Sequence, residues 1–124
     1  VSKKILIVDD EPLVSKTLVK LLQKNGFNAE IAESGEDALD VIKKDDFGLI
    51  ITDVRMPGMD GVEMIKKIRE YRKLAGKKAI PEIMITGYAD IDKYEAAMKL
   101  KVKEYIYKPF DNRKFLDTVH KILD

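Results

Sequence analysis

The chain has 124 residues and a mass of 14.1 kDa, enough for one domain with a full hydrophobic core, and 23 basic against 22 acidic side chains leave a formal net charge of +1. Cysteine is absent, which excludes a disulfide framework, thiol catalysis and cysteine-bound metal and is compatible with a reducing cytoplasm. The charge balance gives no global support for nonspecific nucleic-acid binding, so no direct nucleic-acid role is expected.

The opening Val1-Ser2-Lys3-Lys4 and the short apolar run after it fit neither a secretory signal nor a membrane span, so a soluble protein is expected. Ile5 to Val8 reads as a buried strand, closed by Asp9-Asp10-Glu11, with Pro12 suited to a first helical position. Val14, Leu18, Leu21 and Leu22 recur at helical spacing, and Gly26 after Asn25 ends that helix. Asn28 to Ala32 is a weaker strand. Ser34-Gly35-Glu36-Asp37 has a capping-box pattern before a helix with Ala38, Val41 and Ile42 inside.

Leu49 to Ile51 is too short for a helix and rich in β-branched residues, which predicts a strand buried on both faces that meets a loop near Asp53. Asp60 can cap the next helix, with Val62, Ile65 and Ile68 inside. Arg69, Arg72 and Lys73 suit its last turn, and the basic stretch from Arg69 to Lys78 reads as a solvated helix end, with a docking patch as the lesser alternative. Glu82 to Ile85 is a strand stopping at Thr86-Gly87. A helix over roughly Asp90 to Leu100 should place Ile91, Tyr94, Ala97 and Met98 inside. Glu104 to Tyr107 is the last strand, and Asp111 caps a final helix with the stripe Phe115, Leu116, Val119, Ile122 and Leu123. Five strands alternating with five helices predict an α/β fold, a doubly wound parallel sheet covered by helices on both faces.

Polar residues gather at the strand ends: Asp9-Asp10, Asp53, Thr86 and Lys108. A parallel sheet brings these ends to one edge, where ligands bind. Three carboxylates in one site repel, and a hard divalent cation such as Mg²⁺ relieves the repulsion through oxygen ligation. With the Lys108 ammonium and the Thr86 hydroxyl, the set suits transfer of a phosphoryl group to Asp53 as nucleophile. His120 has no plausible ligand set and reads as structural, and Met56 and Met59 read as loop packing.

These residues, together with Met56-Pro57-Gly58-Met59-Asp60-Gly61 after Asp53, Thr86-Gly87, and Tyr105-Ile106-Tyr107-Lys108-Pro109-Phe110, make the chain resemble the receiver domain of two-component response regulators, over essentially its whole length. The resemblance implies a flavodoxin-like sheet of order 2-1-3-4-5 in a single receiver domain over residues 1–124, without an output domain. It implies phosphorylation of Asp53 by a histidine kinase or histidine phosphotransfer protein, with Mg²⁺ as cofactor and Mn²⁺ as a substitute. Asp10, Asp53 and the backbone carbonyl of Arg55 would be direct metal ligands and Asp9 would act through water. Lys108 would pair with the phosphoryl group, Thr86 would move to bond it, Tyr105 would turn inward, and the Lys108–Pro109 peptide would be cis. Leu13 and Lys16 lie where the kinase is expected to dock, and the face of the last two helices and last strand is the expected output surface. A downstream protein or an output domain is the expected target, with a monomer or a phosphorylation-dependent dimer as the assembly.

Two departures stand out. Receivers usually end the helix before the last strand with Gly-Ala, and here the segment is Leu100-Lys101-Val102-Lys103, so either Lys101 carries left-handed strain or the turn differs. Arg55 and Tyr88, each two residues beyond a site residue, are large enough to overhang the phosphoryl group and slow autodephosphorylation. Two other readings stay open: a Mg²⁺-dependent aspartyl phosphatase, which needs a second acid where Arg55 stands, and a flavodoxin-like cofactor-binding protein, which needs a Ser/Thr/Gly phosphate loop where Asp9-Asp10-Glu11 stands.

Overall fold

A computed structural model describes residues 3–124; Val1 and Ser2, part of the polar lead-in read from the sequence, lie outside the described residues. Five strands alternate with five helices: β1 (Ile5–Val8), α1 (Pro12–Lys24), β2 (Ala29–Ala32), α2 (Gly35–Lys44), β3 (Leu49–Asp53), α3 (Gly61–Leu74), β4 (Glu82–Thr86), α4 (Ile91–Leu100), β5 (Glu104–Tyr107) and α5 (Asn112–Leu123). All pairings are parallel and the order is β2-β1-β3-β4-β5. This is the flavodoxin-like arrangement expected from the resemblance.

Alternation along the strands divides the core into two layers. Ile5, Ile7, Leu49, Ile51, Ile83 and Ile85 face α1 and α5, where they meet Leu18, Leu22, Phe115 and Val119. Leu6, Val8, Ile50 and Met84 point the other way, toward Ala38, Ile42, Ile65 and Ala97 of α2, α3 and α4. Helix starts follow the local chemistry: Ser34, Asp60, Asp90 and Asp111 each accept a backbone N–H from the first turn they cap. Glu11 precedes α1 without a side-chain cap, and Pro12 supplies its first residue.

Two expectations need correction. Of the four α4 residues expected inside, Ala97 alone is buried, while Ile91 is 67% exposed, Tyr94 37% and Met98 39%. Tyr94 meets Tyr105 of β5, an edge strand itself only partly covered, and the rest of the apolar stripe stays open to solvent. The basic end of α3 is not simply solvated either. Arg72 is buried and donates from Nε to the Lys78 carbonyl at 2.9 Å. Arg69 makes a bidentate pair with Glu82, Nε to Oε2 at 2.9 Å and Nη2 to Oε1 at 2.8 Å, and also donates to the Leu100 carbonyl. Glu82 is buried at the start of β4 and requires that counter-charge.

The turn after α4 takes the strained form. Lys101 has φ 58° and ψ 45°, left-handed for a residue with a Cβ, a conformation that costs a non-glycine residue about 1–2 kcal/mol. Lys101→Gly is therefore expected to stabilise the fold by about 1 kcal/mol in urea denaturation, after its larger unfolded-state entropy is offset, while Lys101→Ala leaves stability close to the parent.

Candidate functional site

Register builds the site. Val8 pairs with Thr52, so Asp9 and Asp53, the next residues of β1 and β3, leave the sheet side by side. Asp53 closes β3 as its last residue, and Thr86 closes β4 opposite Tyr107. The Lys108 amide donates to the Thr86 carbonyl at 2.8 Å, which brings the lysine to the same edge. Its Nζ lies 3.8 Å from Asp53 Oδ2 and 3.9 Å from Asp9 Oδ2, and the Lys108–Pro109 peptide bond is cis.

The two oxygens of Asp53 have different surroundings. Oδ1 accepts the backbone N–H groups of Val54 at 2.7 Å and Arg55 at 3.3 Å. Oδ2 faces the lysine. Burial raises the Asp53 carboxyl above its ordinary range, against the pull of Lys108 and the two amides. Asp9 Oδ1 accepts the Glu11 amide at 2.9 Å, and burial pushes this carboxyl up to about 6 in spite of that bond, with the charge of Asp53 adding to the rise.

One carboxylate oxygen from each of Asp9, Asp10, Glu11 and Asp53 can lie within 4.8 Å of the others, with Asp9 and Asp53 buried and Asp10 and Glu11 exposed. Four oxygen donors of one charge, part buried and part open to water, suit a hard divalent cation that keeps some of its hydration. The sequence reading missed Glu11; its position directly after Asp9-Asp10 was the available signal. Gly61 belongs to the site through its backbone. A Cβ there would stand 2.3 Å from the Asp53 carbonyl oxygen, and the Gly61 amide donates to the Val54 carbonyl at 2.8 Å, so the loop after Asp53 folds back only with glycine.

Thr86 is buried, and its Oγ1 accepts the Tyr88 amide at 3.1 Å. Tyr105 stands edge-on to Tyr94 and Tyr107, with ring centroids 5.2 and 5.4 Å away, and its buried hydroxyl has no hydrogen-bond partner among the described residues. Arg55 is turned along the rim. Its guanidinium pairs with Asp90 at 2.5 Å and stacks over the Tyr88 ring, 5.0 Å from the centroid. Asp60 pairs with Lys93 at 2.5 Å. Together these contacts tie the loop after β3 to the loop after β4 and to the first turn of α4.

The remaining residues singled out in the sequence lie elsewhere. His120 hydrogen-bonds Asp124 at 2.8 Å through Nδ1 and packs against Phe27, consistent with a structural role. Met56 and Met59 are buried in the loop, where the side chain of Met59 lies against Gly35. No helix among the described residues is long and apolar enough to cross a membrane.

Comparison with known proteins places this arrangement among a large group. A family model described as the response regulator receiver domain matches residues 5–120. Chemotaxis protein CheY-3 of Vibrio cholerae is 38% identical over 122 residues, covering 98% of this chain and 92% of the relative. Transcriptional regulatory protein FixJ of Rhizobium meliloti is 35% identical over 115 residues, 93% of this chain and 54% of the longer relative. Among solved structures, a CheY-like receiver domain protein from Methanospirillum hungatei JF-1 superposes with a TM-score of 0.88 at 30% identity, over 100% of this chain and 95% of that one.

The raised carboxyl of Asp9 has a measurable consequence. Its folded pKa, about 6, lies above the unfolded value, so it penalises folding only where it must ionise. In metal-free buffer, stability should fall as pH rises from about 4 through about 6, and millimolar Mg²⁺ should restore it at neutral pH. Asp9→Asn should raise the metal-free stability at pH 7 by roughly 1–2 kcal/mol and remove most of the Mg²⁺ increment, both read by urea denaturation.

Proposed function

Because the chain belongs to the response regulator receiver family, a module of two-component signalling, we propose that it is a phosphorylation-controlled switch whose acceptor is Asp53. The observation that carries this reading is the asymmetry of that carboxylate, with Oδ1 tied to two backbone amides and Oδ2 turned toward the Lys108 ammonium beside the acidic cluster. Oδ2 forms a bond to phosphorus as the P–N bond of a partner's phosphohistidine breaks and the imidazole leaves with the bonding electron pair. The product is an acyl phosphate. A small-molecule phosphodonor reacts in the same way.

Lys108 balances charge on the phosphoryl oxygens and holds the acceptor in place. Asp10, Asp53 and the Arg55 carbonyl would hold Mg²⁺, or Mn²⁺ in its place, with Asp9 acting through water. The cation would offset negative charge as the phosphoryl group arrives. Thr86 then turns its hydroxyl toward the phosphoryl group, giving up the Tyr88 amide, and Tyr105 moves into the space released. The conformational effect is bounded by how much more the phosphoryl group stabilises the active arrangement than the inactive one.

The exposed Leu13 and Lys16 on the first turns of α1, with the loop after Lys108, form the surface for a histidine kinase or phosphotransfer protein in the cytoplasm. The face made by α4, β5 and α5 is the output surface toward a downstream protein or an output domain, and it is the surface on which a phosphorylation-dependent dimer would form. The aspartyl phosphatase reading lacks its second acid, since Arg55 occupies that position and is paired to Asp90. The acidic turn after β1 equally lacks the phosphate loop of a flavodoxin.

Incubation with Mg²⁺ and acetyl phosphate should add one phosphoryl group to the intact mass of the parent and none to Asp53→Asn, and the adduct should survive acid and be lost in base. An adduct that persists in Asp53→Asn would move the acceptor elsewhere. Arg55 stacked on Tyr88 at the rim would narrow the approach of in-line water to the acyl phosphate, so slow autodephosphorylation is expected. In Arg55→Asn/Tyr88→Ala the acyl phosphate should decay roughly tenfold faster, about 1.4 kcal/mol off the barrier; an unchanged decay rate would remove shielding as the cause.

A further inference from the structure

The edge of the sheet opposite Asp53 carries a second concentration of charge. Two adjoining cavities, about 480 and 700 Å³, share Arg72, Lys77 and the segment Ala79-Ile80-Pro81 and form one trough beneath the starts of β3 and β4. Lys73 from the last turn of α3, Lys77 from the turn after it, and Lys101 and Lys103 from the lead into β5 line the larger half. All four are exposed, and none has a carboxylate partner among the described residues. Of the two acids in the trough, Glu82 is neutralised by Arg69 and Asp46 lies at the far end beside Arg72. The carbonyl end of α3 opposes this field only partially, because its last turn is closed by backbone N–H groups of Ala75, Gly76 and Lys77. A chain whose formal charge is only +1 thus places four lysines without a carboxylate partner around one concave surface.

Lys101 adds an independent observation. Its left-handed backbone is a position where glycine would be free of strain, yet the residue is a lysine whose side chain lines the trough. Strain of this kind persists where the side chain serves a purpose that glycine could not.

We propose that this trough binds an acidic polypeptide segment of a partner protein, independently of the phosphoryl acceptor on the opposite edge. Lysine ammonium groups on flexible stems match carboxylates spaced along an extended chain, and Ile80 and Pro81 provide an apolar floor for the intervening side chains. Nucleic acid fits less well. The larger half has no aromatic ring on which bases can stack, a concave trough cannot enter a duplex groove, and the acids over the rest of the surface repel a long polyanion.

The test is fluorescence anisotropy with a short fluorescein-labelled peptide of alternating Glu and Asp, at near-physiological salt, beside single-stranded DNA and inorganic polyphosphate. Binding of the peptide should weaken at least about tenfold in Lys73→Glu/Lys77→Glu/Lys103→Glu and remain at the parental level in the charge-matched control Lys20→Glu/Lys24→Glu/Lys114→Glu. Lys101→Gly should weaken it about threefold without loss of folded structure. If the triple reversal fails to fold, the corresponding Lys→Gln variant replaces it, with the same direction expected. Equal losses in the control, parental binding in the trough variant or in Lys101→Gly, or tighter binding of DNA or polyphosphate than of the peptide would each overturn the proposal.

Discussion

The Lys108 ammonium between Asp9 and Asp53 is the contact on which the acidic edge depends. Two buried carboxylates on neighbouring strands repel across a short gap of low dielectric, and each loses hydration when the sheet closes. One lysine at nearly equal distance from both reduces that repulsion without pairing tightly with either. A closer ion pair with one acid would leave the other uncompensated. The contact stays long and shared, and burial still holds both carboxyls above their ordinary range. This site is therefore under electrostatic tension before any ligand arrives, and a cation or a phosphoryl group changes its balance of charge substantially.

That tension is contained by the loops around it. Asp53 is gripped by the amides that follow it, the loop returns over Gly61, and the Arg55–Asp90 and Lys93–Asp60 pairs join the rims of β3 and β4. These two pairs are partly exposed, and pairs of that kind contribute little to stability. Their position matters more than their energy: they cross from the loop after Asp53 to the loop that carries Tyr88 and to the first turn of α4. The Arg69–Glu82 pair differs. It closes a buried charge at the opposite end of β4 and also holds the last carbonyl of α4, so it belongs to the framework.

Much of this was legible in the residues, for identifiable reasons. Ile5 to Val8 and Leu49 to Ile51 are apolar on both faces, a pattern that only a covered parallel strand explains, and Ser34, Asp60 and Asp111 carry their cap chemistry locally. The strand order came from the resemblance, since alternation of helices and strands does not say which neighbour each strand takes. The charge pairs were invisible because their partners lie 13 residues apart for Arg69 and Glu82, 35 for Arg55 and Asp90 and 33 for Lys93 and Asp60. The exposed stripe of α4 was misread for a related reason. Helical periodicity identifies an apolar face, and whether anything covers it depends on β5 lying at the edge of the sheet.

The strand order also has a consequence during synthesis. β1 leaves the ribosome first, yet it ends between β2 and β3, and the lysine that balances its aspartate follows the last strand. Until that lysine has emerged, the two acids at the ends of β1 and β3 have no shared counter-charge, and the sheet edge they occupy is incomplete. The arrangement of Asp9, Asp53 and Lys108 is therefore completed only when the fifth strand and the lysine after it join the sheet.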